Sequence, residues 1–131
     1  MKEIKPGVTG RQEVLVAFEN TAESLGSGDL PVFGTPFLCA LVENTCLKSI
    51  NEYLEGDEGT VGTVVNIKHT AATPIGMKVW VESTLTEVDG RRLVFEAKAY
   101  DEKGPIGEAY HERFVIYGEK FLKKANAKLD K

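Results

Sequence analysis

Few side chains in this chain are suited to acid–base or nucleophilic work, and their spacing is informative. There are two histidines, His69 and His111. His69 stands in Gly62-Thr-Val-Val-Asn-Ile-Lys-His-Thr-Ala-Ala-Thr-Pro74, whose alternation reads as a strand with Thr63, Val65, Ile67, His69 and Ala71 on one face. An imidazole among Val and Ile needs a hydrogen-bond partner or a task near neutral pH. A core histidine bonded to a backbone carbonyl is the plainer alternative. Glu43 falls in an apolar stretch, with Cys39, Ala40, Cys46 and Leu47 three and four positions away. A carboxylate there is costly unless paired. It could equally sit on a polar strip with Asn44 and Lys48. Thr35 precedes Pro36 and reads as a helix N-cap; a hydroxyl at a helix start could also serve a developing negative charge. Gly62 either loosens a strand start or lets a ligand carbonyl approach its N–H. His111 lies between Tyr110 and Glu112, on the face with Arg113, and reads as an exposed strand residue.

The elements that must hold these groups follow from periodicity. Residues 11–19 read as a first strand through Val14, Val16 and Phe18. Asn20 to Gly34 is a loop punctuated by Gly26, Gly28, Pro31 and Gly34, and a loop that long tends to be a lid or binding loop. A helix is expected from Thr35 to about Glu55, stopped by Gly56, with its first half buried nearly all round. Four strands follow at roughly 60–71, 77–88, 91–101 and 106–117. Asp89-Gly90 and Lys103-Gly104-Pro105 supply tight turns. Expected inward faces are Met77, Val79, Val81 and Leu85; Leu93, Phe95, Ala97 and Ala99; and Ile106, Tyr110, Phe114 and Ile116. The Lys-rich end after Glu119 is a short helix or a frayed tail. One long apolar helix and one curved antiparallel sheet bury each other in two layers. The order points to an α+β hot-dog fold, a sheet wrapped around a central helix, as one domain over 1–131. A cone-shaped sheet around a helix is the rival.

Bulk properties narrow the partners. At 131 residues and 42% hydrophobic content the chain can bury a core without staples. A net charge of −4 favours no nucleic acid. No apolar run approaches a membrane span of ~20 residues, and the first residues lack a signal peptide's apolar core. Cys39 and Cys46 are about 10.5 Å apart along a helix, too far for a disulfide. They read as two thiols in a reducing, cytoplasmic setting, and their spacing suggests no zinc site. Neither a Walker loop, a GxSxG elbow, an HExxH motif nor a dinucleotide fingerprint is present. Arg91-Arg92 and Lys120, Lys123, Lys124 and Lys128 are ordinary solvated charges or, alternatively, contacts for a phosphate-bearing ligand.

Several of these pieces together resemble the fluoroacetyl-coenzyme A thioesterases of the hot-dog superfamily. They are Gly62-Thr-Val, His69-Thr-Ala-Ala-Thr-Pro, Asp89-Gly-Arg-Arg-Leu, and His111-Glu-Arg followed by Glu119-Lys-Phe, with the Thr35, Glu43 and His69 spacing. The similarity spans roughly Thr35 to Lys128. It implies a homodimeric hydrolase of short acyl-coenzyme A esters with its cleft at the protomer interface. Thr35, Glu43 and His69 match the catalytic threonine, glutamate and histidine. Gly62 matches the glycine whose N–H binds the thioester carbonyl, and Arg113 an arginine near the acyl end. No metal or redox cofactor is implied; coenzyme A arrives with the substrate. The family's selective member carries phenylalanines as a lid in the loop before the threonine. Here that loop is shorter, Leu30 stands where a lid phenylalanine is expected, and Phe33 lies nearer the threonine. An acyl group other than fluoroacetyl is therefore expected. A non-catalytic acyl-coenzyme A or apolar-ligand binder and a hot-dog hydratase are the alternatives. Helix geometry leaves one problem: Thr35 and Glu43 are ~12 Å apart along a straight helix. Either the chain bends after Thr35 or the site draws on two subunits.

Overall fold

A computed structural model describes residues 1–130. Five antiparallel strands form one sheet, β1 (Thr9–Leu15), β2 (Glu58–His69), β3 (Lys78–Asp89), β4 (Arg92–Asp101) and β5 (Gly104–Tyr117), in the order β1-β3-β4-β5-β2. The helix α2 (Thr35–Ser49) lies against the sheet, contacting β1, β3, β2 and β5. Two shorter helices flank it, α1 (Ala22–Leu25) in the long loop and α3 (Gly118–Asn126) after β5. This is the expected α+β hot-dog arrangement.

The central hairpin follows its sequence pattern. Val79, Val81 and Leu85 of β3 face Leu93, Phe95, Ala97 and Ala99 of β4 in the core, and Leu38, Leu41, Val42 and Cys46 of α2 close it. Gly90, at φ 61°, makes the turn after Asp89. Burying such side chains stabilises by roughly 1.5–3 kcal/mol each. Burial also pushes the Cys46 thiol up to about 12, so that it packs as a small hydrophobe.

Elsewhere the structure corrects the sequence reading. β1 stops at Leu15 and Phe18 begins an exposed turn, so Phe18 does not continue the inward row. The helix ends at Ser49, not near Glu55; a single 3₁₀ turn, Asn51–Tyr53, follows. Ala40, Asn44 and Lys48 are exposed, so α2 buries one face and not its whole circumference. The long loop is not featureless: Thr21 caps α1 by accepting from the Ser24 N–H at 3.1 Å. The terminal segment is helical, anchored where the Asp57 carboxylate accepts from the Glu119 N–H at 2.9 Å.

The largest correction is in β5. Its inward row is Ala109, His111, Arg113 and Val115; Tyr110 and Phe114 point outward. The cause is a bulge. Tyr100 pairs with Pro105 and Ala99 with Gly107, which leaves Ile106 as an extra residue. One extra residue shifts the alternation by one, so every later side chain changes face. A second bulge does the same in β2: Gly62 pairs with Arg113 and Val64 with Glu112, leaving Thr63 over. Gly62 thereby joins the face of Val65, Ile67 and His69, and Thr63 leaves it.

Candidate active site

Thr35 is not the helix cap. Gly34 holds that position, no side chain caps the helix, and Thr35 is the first helical residue with Pro36 behind it. Its hydroxyl is therefore free for another partner, and it lies 2.7 Å from Nδ1 of His69. His69 ends β2, so the first turn of α2 and the last residue of β2 make this pair. Phe33 is buried and meets the imidazole edge-on, with ring centroids 6.3 Å apart. Burial lowers the His69 pKa, with the Ala71 backbone pulling the other way. The ring is thus neutral at pH 7 and can accept from Thr35. Its Nε2 is buried without a hydrogen-bond partner among the described residues. A cleft of about 310 Å³ opens over the pair, lined by Ala22, Val32, Phe33, Thr35, His69 and Ala71 among others. Leu30 is 65% exposed and does not line it.

Glu43 gathers a second group. Its side chain is 43% exposed, and Oε2 lies 3.8 Å from Nη1 of Arg113, whose own side chain is 6% exposed. The carboxylate is therefore not stranded among apolar groups, as its helical neighbours suggested. Arg113 is held by three further bonds: Nε donates to Thr60 Oγ1 at 2.9 Å, Nη2 to the Thr60 carbonyl at 2.9 Å, and Nη1 to His111 Nε2 at 3.2 Å. Gly62 sits directly beneath. A Cβ there would stand 2.7 Å from Glu43 Oε2, 3.2 Å from His111 Cε1 and 3.4 Å from Arg113 Nη1. The glycine serves close approach, not a turn: a Cβ would have to displace the Glu43 carboxylate. His111, expected on an exposed face, is wholly buried.

The six residues thus form two constellations, Thr35 with Phe33 and His69, and Glu43 with Gly62 and Arg113. They do not meet in one protomer. Gly62 and His69 are separated by ~23 Å of strand. α2 runs unbroken from Thr35 to Ser49, so no bend brings Thr35 back to Glu43. Sequence reasoning missed Thr60, which fixes Arg113, and the part of His111 in the same cluster. The only signal for His111 was its parity with Ala109 and Val115, and that signal is hidden until the Ile106 bulge is known. Among the described residues no group of three or more His, Cys, Asp or Glu could hold a metal ion, and no helix is long and apolar enough to cross a membrane.

Comparison with known proteins gives a consistent result. Residues 16–119 match the family described as fluoroacetyl-CoA-specific thioesterase, FlK. The fluoroacetyl-CoA thioesterase of Streptantibioticus cattleyicolor is 44% identical over 97 residues, 74% of this chain and 70% of that protein. A crystal structure of a phenylalanine-to-alanine mutant of FlK superposes with a TM-score of 0.91 at 35% identity, covering 98% of this chain and 99% of that one. A thioesterase superfamily member from Thermus thermophilus superposes with a TM-score of 0.89 at 27% identity, covering 98% and 95%.

Proposed function

Since the chain belongs to the fluoroacetyl-CoA-specific thioesterase family and is a hot-dog thioesterase, we propose that it hydrolyses short-chain acyl-coenzyme A esters at a site completed by a second copy of itself. The observation that carries this reading is the Thr35 hydroxyl spent on His69 and not on the helix end. The remaining requirement is to bring Glu43 and Gly62 to that pair. β2 is an edge strand of 12 residues with Val64 and Val65 exposed, the kind of edge that is normally covered. If two copies pair β2 antiparallel about a two-fold axis near Val65 and Asn66, the Gly62 end of one lies beside the His69 end of the other. Glu43 and Thr35 follow their strands. The Thr35–Glu43 separation along α2 then ceases to be an obstacle, because the two act from different protomers.

In that arrangement the Gly62 N–H stabilises the oxyanion that forms on the thioester carbonyl. Glu43, held by Arg113, removes a proton from water as the new C–O bond forms, or adds to the carbonyl itself. The C–S bond breaks and the thiolate of coenzyme A takes a proton from the His69 imidazolium, the neutral ring having first accepted that proton. Thr35 holds the ring through Nδ1. The proton comes from water, by way of Glu43 when it acts as base or on hydrolysis of the acyl–Glu43 anhydride when it acts as nucleophile, and the net change is addition of water across the thioester.

The acyl group we favour is other than fluoroacetyl. Leu30 replaces an expected lid phenylalanine and lies outside the cleft lining, and Phe33 is committed to packing on His69. A thiol-release assay over acetyl-, propionyl-, butyryl- and fluoroacetyl-coenzyme A tests both parts. Release from the short unsubstituted esters at a kcat/KM equal to or above that for fluoroacetyl supports the reading. A strong fluoroacetyl preference overturns the acyl assignment, and no thiol release from any ester favours a ligand-binding role.

A further inference from the structure

The buried ring of His111 is unused by that mechanism, and its hydrogen bonds define its state. Nε2 faces Nη1 of Arg113 at 3.2 Å, and a guanidinium can only donate, so Nε2 is the acceptor. The ring proton is therefore on Nδ1, which donates to the Val64 carbonyl at 2.7 Å. Val64 is the first residue after the Thr63 bulge. The Thr63 hydroxyl reaches the Glu112 carbonyl at 3.3 Å, so the bulge is pinned from two sides. Phe95 of β4 covers the ring, with centroids 6.1 Å apart. The charged groups facing it are Arg113 and Glu112 from β5 and Glu43 from α2; β2 presents only its backbone.

We propose that His111 is a positioning residue: as a neutral Nδ1–H tautomer it locks the bulge that presents Gly62 and aligns Arg113 on Glu43. This assignment rests on the thioesterase reading but makes a claim of its own about the ring. A protonated His111 places a second donor against Arg113 Nη1, so the guanidinium must move and Glu43 loses its support. Burial first, and Arg113 with it, hold the pKa below that of an ordinary histidine, so the lock survives at neutral pH and fails in acid.

The test has two arms on the full-length protein. ¹⁵N NMR of the imidazoles reports the tautomer without reference to activity. A neutral Nδ1–H ring at pH 7 that protonates only in acid, with the Gly62 amide shifting at the same pH, supports the proposal; an Nε2–H tautomer or a charged ring at pH 7 overturns it. Kinetics with acetyl-coenzyme A form the second arm. His111→Phe lowers kcat ~10–100-fold with KM little changed, and His111→Asn, whose amide can still donate to Val64, recovers most of that loss. His111→Asn also removes an acid-side step from the kcat profile. If His111→Phe does not fold, the unaltered acid profile of His111→Asn alone overturns the proposal. Wild-type protein that releases no thiol refutes the thioesterase reading while leaving the NMR result to decide the state of the ring.

Discussion

The β3–β4 hairpin and the β2–β5 pair belong to one sheet yet obey different rules. In the hairpin, apolar and polar residues alternate, the inward row is Val, Leu, Phe and Ala apart from Ser83, and its one bulge, at Thr86, interrupts no functional group. In the β2–β5 pair, bulges at Thr63 and Ile106 reset the alternation, and the inward row contains a histidine and an arginine. The hairpin spends its side chains on burial. The other pair spends them on holding a guanidinium beside a carboxylate, a less stable use of interior space that is tolerated because the Arg113 and His111 nitrogens find partners. The lesson is that the scaffold and the chemistry occupy neighbouring strands with separate design pressures.

Substitutions should separate the two regions. The largest effect is expected from Glu43→Ala, which removes the carboxylate beside Gly62 and should lower kcat by about three powers of ten without loss of fold; circular dichroism and thiol release measure both. Gly62→Ala comes next. Its methyl would collide with Glu43 Oε2, and displacing that carboxylate should cost ~10²-fold in kcat, read against an unchanged melting temperature. pH gives a smaller effect. Because burial depresses the His69 pKa, the folded state binds fewer protons than the unfolded one below the ordinary histidine value. Turnover should therefore be level near neutrality and fall only in more acid solution, while stability declines over the same acid window as pH drops below the unfolded value. The smallest effect on turnover belongs to the hairpin: Leu85→Ala should cost roughly 2–5 kcal/mol of stability in urea unfolding and leave kcat per folded molecule unaltered.

The same division governs how much could be read from the residues. Helix, hairpin and meander were legible because hydrophobic period and turn chemistry agree there, as in Val79, Val81 and Leu85 before Asp89-Gly90. Thr35, Glu43, His69, Gly62 and Arg113 were found through their match to a family pattern, and the structure sorts them into two groups. The inward face of β5 was misassigned because Tyr110, Phe114 and Ile116 are more apolar than His111 and Arg113, and a bulge leaves no mark in composition. Thr35 was misplaced as a cap because Ser and Thr before a helical proline usually are; here the hydroxyl has a nearer acceptor in His69. Neither error follows from weak propensity. Both arise where tertiary contacts overrule a local preference.

Subunit mixing tests the two-copy site most directly. Glu43→Ala and His69→Ala proteins, each inactive alone, are combined and allowed to exchange protomers. If one protomer supplies Glu43 and Gly62 and the other Thr35 and His69, half of a statistical mixture is mixed dimer with one intact site of two, and activity should return to about a quarter of wild type. If every site is built within a single protomer, no combination contains an intact one, and a mixture that stays inactive despite demonstrated exchange contradicts the account.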